Sequence, residues 1–226
     1  MSIYAISDLH LSFDTQKPMD KFGELWEDYE EKMKYNWNKT VKENDLVLIA
    51  GDVSWATYLS EAVEDFKFID GLNGEKLISK GNHDYWWESL TKLNGFAKEN
   101  GFETLNFIHN TAFKYNDYVI CASKGYDFNT EKRLCDRENI RVRLSLEEGR
   151  KKGGKIILML HYPPFDKTGK LYPELEQAFE EYNVVQCVYG HLHAHAHRFA
   201  VNEKIKNTEL RLTSCDYLKF VPLKLQ

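Results

Sequence analysis

The 226-residue sequence lacks any apolar run near the roughly 18 residues that a membrane-spanning helix needs, so we expect no membrane association. Its first residues also lack the basic flank and apolar stretch of a secretion signal. There is no excess of positive charge, since 30 Lys and Arg stand against 35 Asp and Glu, which argues against dedicated nucleic-acid binding. Without linker-like stretches or internal repeats, residues 1–226 are expected to form a single domain.

Cysteine is scarce and scattered. The four cysteines show no C-x-x-C spacing, which excludes a zinc knuckle and a thioredoxin-type motif. Isolated thiols in a chain of this length are typical of a reducing compartment rather than of a disulfide framework. We therefore expect free cysteines and a cytoplasmic location.

Short apolar runs alternate with longer amphipathic segments, and this alternation predicts an α/β domain with a parallel or mixed sheet. The predicted strands cover residues 3–6, 46–50, 77–78, 156–160 and 184–189, with a hairpin over 111–122 and an extended segment over 210–225. The predicted helices cover residues 22–37, 58–69 and 90–97, and the locally basic segment 130–155 is also expected to contain a helix.

Polar side chains follow five of the predicted strands at the point where each strand ends. Ligands of open α/β sheets bind beyond the carboxyl ends of strands, so these side chains are expected to meet there. In chain order the groups are Asp8-Leu9-His10, Gly51-Asp52, Gly81-Asn82-His83-Asp84, His161 and Gly190-His191-Leu192-His193. Each group alone is weak evidence for a site, but five groups in this order indicate a metal-centred site.

These five groups resemble the five sequence blocks of the calcineurin-like metallophosphoesterase superfamily. The resemblance implies an α/β fold of two mixed β-sheets packed as a sandwich and flanked by helices. It also implies two divalent metal ions bridged by Asp52. One ion would be held by Asp8, His10 and His193, and the other by Asn82, His161 and His191.

The residue types agree with a hydrolytic metal site. Mixed imidazole, carboxylate and amide ligands favour Mn, Fe or Zn over Ca or Mg. We expect hydrolysis of phosphate mono- or diesters by a metal-bridging hydroxide, without a covalent enzyme intermediate. His83 is the candidate general acid for the leaving group, and Asp84 is expected to orient the His83 imidazole.

The substrate is not determined by these blocks. We expect a small phosphate ester, with nucleotides among the candidates, and the choice between monoester and diester stays open. Residues 51–55 and 82–87 contain no phosphate-clamping arginine, which argues against a protein phosphatase. The alternative is a non-catalytic metal-binding scaffold or interaction protein of the same fold. The sequence makes no prediction about oligomeric state.

Three further features have a structural and a functional interpretation. Of Tyr85, Trp86 and Trp87, at least two are expected to pack at the start of the following helix rather than stack on a substrate. His195 and His197 are expected in an extended segment with ordinary imidazoles. The glycine-rich segment 149–155 imitates a phosphate-binding loop, but it precedes a strand, so a helix stop explains it better.

Overall fold

The computed structural model describes residues 1–15 and 17–226, which form eleven strands and five α-helices. The strands are β1 Ile3–Ile6, β2 Leu46–Ile49, β3 Glu75–Ile78, β4 Leu105–Phe107, β5 Ala112–Tyr115, β6 Tyr118–Ser123, β7 Lys155–Leu160, β8 Val184–Tyr189, β9 Lys204–Ile205, β10 Thr208–Leu212 and β11 Leu223–Lys224. The helices are α1 Tyr29–Thr40, α2 Val63–Asp70, α3 Leu90–Glu99, α4 Lys132–Lys152 and α5 Pro173–Glu181.

The strands form two mixed sheets, as predicted. The first sheet has the order β11-β1-β2-β3-β4, and the second has the order β5-β6-β7-β8-β10-β9. Strands β1 to β4 run parallel in the first sheet, as do β6, β7, β8 and β10 in the second. The antiparallel strands β11, β5 and β9 lie at sheet edges.

The sheets pack face to face with helices on both outer sides. An inner apolar layer joins the two sheets through residues such as Ile3 and Leu48 of the first and Ile157 and Val188 of the second. A second layer packs α1, α2 and α3 against the outer face of the first sheet, and a third packs α4 and α5 against the second. Burial on both faces explains why the parallel strands read as continuous apolar runs.

The prediction of one helix over residues 22–37 is wrong at its amino-terminal end. Helix α1 begins at Tyr29, and residues 19–26 form two short 3-10 turns. The chain turns at Gly23 (φ 123°) and Asp28 (φ 47°), which interrupts the helix although the aromatic spacing continues. Trp26 is nevertheless buried with the helical stripe, whereas Phe22 is 68% exposed.

Other boundaries also differ from the predictions. Residues 213–222, expected to be extended, form turns between β10 and β11. His195 and His197 lie in a 3-10 helix, Ala194–Phe199, and not in an extended segment. Helix α2 begins at Val63 after a separate 3-10 turn, whereas β4 and α5 were not predicted.

The hairpin and the glycine-rich helix stop are confirmed. Strands β5 and β6 pair antiparallel around residues 116–117. Helix α4 ends at Lys152, and Gly153 follows at φ 65°, so the loop imitates a phosphate-binding motif only in sequence. The four cysteines are free thiols, as expected. None of the described helices combines the length and apolarity needed to cross a bilayer.

Candidate metal centre

The five polar groups meet where the carboxyl ends of both sheets lie side by side. The first sheet contributes Asp8, His10, Asp52 and Asn82 from the ends of β1, β2 and β3. The second sheet contributes His161 after β7, and His191 and His193 after β8. The structure therefore brings together all seven side chains that were expected to hold metal.

Backbone contacts connect the two sheets beneath the site. His161 Nδ1 lies 3.1 Å from the carbonyl oxygen of Ala50, so this imidazole spans from β7 to the end of β2. The amide of Ser7 donates to Thr213 O at 2.8 Å, and the amide of Cys215 donates to Ser7 O at 2.9 Å. The relative position of the two sheets is thus held at the site itself.

One donor group contains Asp8, His10 and His193, whose ligand atoms all lie within 4.8 Å of one another. His10 Nε2 lies 3.3 Å from His193 Nε2, which in turn lies 3.4 Å from Asp8 Oδ1. Asp8 and His10 are buried, whereas His193 is partly open to solvent.

A second donor group centres on Asn82. Its Oδ1 lies 2.7 Å from His161 Nε2 and 2.9 Å from His191 Nδ1. His161 is fully buried, and the other two side chains are half-buried.

The carboxylate of Asp52 lies between the two groups. Its Oδ2 is 4.0 Å from His10 Nε2 on one side and 3.4 Å from His161 Nε2 on the other. Its Oδ1 accepts a hydrogen bond from the His83 amide at 2.8 Å, which leaves Oδ2 facing both donor groups. This is the position that a bridging ligand requires.

The spacing of the donor atoms fits divalent ions. Two ligand atoms, each about 2.1 Å from one ion and at right angles, lie about 3.0 Å apart. The separations of 2.7 to 3.4 Å inside each group match this value. His10 faces the cluster with Nε2, whereas its buried Nδ1 has no hydrogen-bond partner among the described residues.

The electrostatics of the centre also favour a cation. Burial, together with the charges of Asp84 and Asp8, raises the pKa of Asp52 to about 9. Burial lowers the pKa of His10 and of His161 to about 3, so both imidazoles are neutral at pH 7, the form that binds metal. Burial opposes ionisation of Asp8, but His193, His161 and His10 hold its pKa below the ordinary value.

Glycines and strained backbone allow the donor atoms to approach so closely. A Cβ at Gly81 would collide with the Asp52 carboxylate, and one at Gly190 would collide with that of Asp8. Four of the seven side chains sit on left-handed backbone, with φ between 48° and 70°: Asp8, His10, Asp52 and His191. Such conformations cost about 1–3 kcal/mol each and cluster at functional sites.

The turn after β10 supports the centre and was missed from the sequence. Ser214 Oγ donates to Asp8 Oδ2 at 2.9 Å. Asp216 Oδ1 lies 3.0 Å from His193 Nδ1, the ring nitrogen opposite the one that faces Asp8. A carboxylate in this position fixes the orientation of a metal-binding imidazole. Both residues follow a strand, which is the signal that found the other five groups.

Asp84 does not make the contact that the sequence analysis expected. Its buried carboxylate accepts hydrogen bonds from the amides of Gly81 (2.7 Å), Val53 (2.8 Å) and Asp52 (2.9 Å). Both oxygens are therefore used on backbone, and Asp84 ties the loop after β2 to the loop after β3. It positions Asp52 and not the His83 ring.

His83 lies beside the donor atoms and among aromatic rings. Its ring centroid is 5.9 Å from that of His10 and 4.8 Å from that of Trp55, which itself stacks on His10 at 4.8 Å. Burial lowers the pKa of His83.

The aromatic residues after His83 divide as expected. Trp86 and Trp87 pack into the core beside Phe66 and Phe107, whereas Tyr85 is 63% exposed.

The two-sheet fold and the donor set have the arrangement that the sequence resemblance implied. The family model of the calcineurin-like phosphoesterases matches residues 1–195, and the chain belongs to that family. The matched range contains all seven donor side chains, whereas Ser214 and Asp216 lie beyond it.

Relatives of this chain extend the comparison without adding an activity. The uncharacterized protein MJ1445 of Methanocaldococcus jannaschii is 28% identical over 118 residues, which cover 50% of this chain and 61% of the relative. The chain thus matches about three fifths of that relative's length.

Two solved structures share the fold. The protein of unknown function AQ665 from Aquifex aeolicus is 16% identical, with a TM-score of 0.54 over 99% of this chain and 95% of its own. The protein TT1561 of Thermus thermophilus is 14% identical, with a TM-score of 0.55 over 84% and 81%. At these identities the likeness concerns the fold alone.

Proposed function

We propose that this protein is a hydrolase of small phosphate esters that works with two divalent metal ions. The position of Asp52 Oδ2 between two groups of donor atoms carries the proposal, because one carboxylate oxygen facing both groups suits a pair of ions. Asp8, His10 and His193 would hold one ion, and Asn82, His161 and His191 the other. Manganese, iron or zinc suits this mixture of ligands.

The side chains around the ions have separate tasks. Ions bound in such a pair supply Lewis-acid activation of water and of the phosphoryl group. Asp84 holds the backbone of Asp52 and Gly81 and so fixes Asp52 relative to the loop that carries Asn82. Asp216 orients His193, and Ser214 orients Asp8.

His83 is proposed as the general acid. Its ring lies next to His10, and it lines a cavity together with the donor residues Asp52 and His193. In this position it would donate a proton to the alcohol as the phosphorus–oxygen bond breaks. A positioned acid contributes roughly 10²–10⁴-fold to the rate.

Several parts of the prediction stay proposals. Both sheets supply donor atoms, which supports residues 1–226 as one functional unit. A cytoplasmic location and a nucleotide substrate remain predictions from the sequence. The scaffold alternative is less favoured, since the seven donor side chains and His83 are all in place.

The test compares leaving groups. We expect His83→Ala in the manganese-loaded enzyme to lower kcat on an alkyl phosphate ester by roughly 10²–10⁴-fold. Because p-nitrophenolate leaves without a proton, the loss on p-nitrophenyl esters should be much smaller. Metal content, measured by inductively coupled plasma mass spectrometry, should stay unchanged. His195→Ala is the matched histidine control, since His195 is exposed.

Two outcomes would contradict this assignment. An equal loss on both kinds of ester would remove His83 from the acid role. Bound metal without turnover of any ester by the wild-type protein would favour the scaffold instead.

A further inference from the structure

Two cavities reach the metal centre and have His191 in their lining. The first, here called the Phe199 cavity, has a volume of about 420 Å³ and is lined by Phe128, Phe165, Tyr172, Leu192 and Phe199. The second, here called the Trp26 cavity, has a volume of about 230 Å³ and is lined by Met19, Phe22, Trp26 and Trp55. His191 is the residue that lines both cavities.

The cavities differ in how they meet the donor atoms. The Trp26 cavity includes His10, Asp52, His83 and His193, so its base is the metal centre itself. The Phe199 cavity touches the centre through His191 and extends away from it along the 3-10 helix Ala194–Phe199. A phosphoryl group at the centre would therefore have an apolar space on either side.

Large apolar side chains remain exposed around both openings. Phe22 is 68% exposed, Phe128 is 49% exposed and Phe199 is 41% exposed. Exposed aromatic side chains grouped around a cleft are typical of ligand-binding surfaces. The side chains around the openings thus offer an apolar contact surface for the organic part of a substrate.

The charge of the lining favours a substrate with one negative charge. Among the described residues that line either cavity, Lys167 is the single lysine and none is an arginine. Lys167 Nζ lies 3.9 Å from the ring centroid of Phe128, at the opening of the Phe199 cavity. Asp127 and Asp166 also line the Phe199 cavity, so the surroundings of the centre disfavour further negative charge on the substrate; a diester carries one negative charge, whereas a monoester carries up to two at neutral pH.

The volumes set the size of the two substituents. A closed cavity of about 150 Å³ is enough to hold benzene. The Trp26 cavity therefore has the volume for one aromatic ring, and the Phe199 cavity has the volume for a larger group.

We propose that the substrate is a phosphodiester with an apolar group on each side of phosphorus. This inference rests on the function proposed above. The leaving alcohol would occupy the Trp26 cavity, beside His83, and the retained group would occupy the Phe199 cavity. Water adds to phosphorus, the phosphorus–oxygen bond on the Trp26 side breaks, and the departing oxygen takes the proton of His83. The products are the free alcohol and a phosphomonoester, and the proton released by water restores His83.

The experiment keeps the leaving group constant and changes the group that stays. The manganese-loaded protein is assayed with bis(p-nitrophenyl) phosphate, methyl p-nitrophenyl phosphate and p-nitrophenyl phosphate. We expect kcat/KM to be highest for the first, which fills both cavities. Phe199→Ser should lower kcat/KM for the bis ester roughly tenfold, the effect of losing one aromatic contact, and should change the methyl ester less than about twofold.

Further variants separate the two cavities. Phe128→Ser should repeat the selective loss of Phe199→Ser, whereas Phe22→Ser should lower kcat/KM for both diesters. Tyr35→Ser is the matched control, because Tyr35 is 66% exposed on α1 and lines neither cavity. Thermal unfolding of each variant establishes that it is folded.

The outcomes distinguish this inference from the proposed function. Metal-dependent turnover with the monoester preferred, or equal losses on both diesters in Phe199→Ser and Phe128→Ser, would overturn the diester assignment and leave the phosphoesterase intact. Turnover of none of the three esters by metal-loaded wild-type protein would overturn the proposed function itself.

Discussion

Charged side chains are buried near both ends of strand β3, and the two sets differ in how they are hydrogen-bonded. Lys76 lies near the start of the strand and is fully buried. Beyond the other end lie Asn82 and the buried carboxylates of Asp84 and Asp52. At the first end the chain pairs the charge by itself, whereas at the other end it pairs Asp84 with backbone amides and leaves Asp52 Oδ2 facing two groups of donor atoms.

The ammonium group of Lys76 has a full set of partners. Its Nζ donates to the carbonyl oxygens of Leu72 and Asp70, the latter at 3.2 Å, and to Thr104 Oγ1 at 2.9 Å. Because α2 ends at Asp70, the lysine also places positive charge at the carboxyl end of that helix, where it is favourable.

The metal centre lacks a full set of close hydrogen-bond partners of this kind. Asp52 Oδ2 lies 3.4 Å from His161 Nε2 and 4.0 Å from His10 Nε2, longer than the 2.7–3.2 Å of an ordinary N–H···O hydrogen bond. Buried polar groups without partners cost about 1–3 kcal/mol each. The comparison indicates that the chain satisfies Lys76, which has a structural role, and leaves Asp52 Oδ2 for a ligand.

The largest expected effect comes from Asp52→Asn. The variant should lose roughly 10³-fold in kcat on any ester substrate, because several kcal/mol of metal-derived stabilisation disappear. In EDTA, however, its unfolding temperature should equal or exceed that of the wild type, because burial and the charges of Asp84 and Asp8 force the wild-type Asp52 carboxyl to take up a proton on folding, a cost that Asn does not have. Mn²⁺ should raise the unfolding temperature of the wild type and not that of the variant. The measurement is thermal unfolding with and without Mn²⁺.

Asp117→Asn, in the exposed turn between β5 and β6, is the control for this comparison. An Asp52→Asn protein that unfolds well below the wild type in EDTA would contradict the idea that the centre is internally unsatisfied.

The residues that meet at the centre could be predicted because the signal is local. Each donor follows an apolar run directly, and parallel strands bring their carboxyl ends to one edge. Asp216 follows a strand too, but β10 alternates Leu210 and Leu212 with Glu209 and Arg211, so its end is less evident. The sequence predicts an extended segment where the turn lies, so it does not indicate Ser214 or Asp216.

Features that depend on the path of the chain in space could not be predicted from the sequence. The role of Asp84 requires knowing that the amides of Asp52 and Val53 point at it. The interruption of the first helix requires the left-handed backbone at Asp28, which the aromatic periodicity does not report. In contrast, α5 had a readable signal in Pro173 at its first turn and was overlooked.

The second effect is expected at the closed end of β3. Lys76→Met should lower the free energy of unfolding by about 2–4 kcal/mol, because buried acceptors and the Asp70 charge lose their partner. Equilibrium unfolding in urea measures this loss. Mn²⁺ affinity should stay unchanged. Lys67→Met is the control: Lys67 is exposed and pairs with Glu64 on the same helix face, so its loss should cost at most about 0.5 kcal/mol.

If Lys76→Met lowers the free energy of unfolding by less than about 1 kcal/mol, the hydrogen bonds of Lys76 do not stabilise the fold as the comparison of the two ends of β3 requires. A loss of Mn²⁺ affinity in the same variant would show instead that the two ends are coupled through β3.

The smallest expected effect is the pH dependence that Lys76 adds to stability. Burial lowers its pKa from 10.5 to about 8 in the folded protein. Between these values the unfolded chain binds the proton more tightly, so the free energy of unfolding rises with pH. From pH 7.5 to 9 the gain is about 1 kcal/mol, and Lys76→Met should lack it.

Urea unfolding in EDTA at these two pH values isolates the lysine from the metal centre. Buried thiols act in the opposite direction: burial raises the pKa of Cys121 to about 12, so its unfolded form loses a proton first as pH rises. Since that contribution is common to both proteins, the difference between wild type and Lys76→Met reports Lys76 alone. If the free energies of unfolding of the two proteins change with pH in parallel, the hydrogen bonds of Lys76 offset the effect of burial on its pKa.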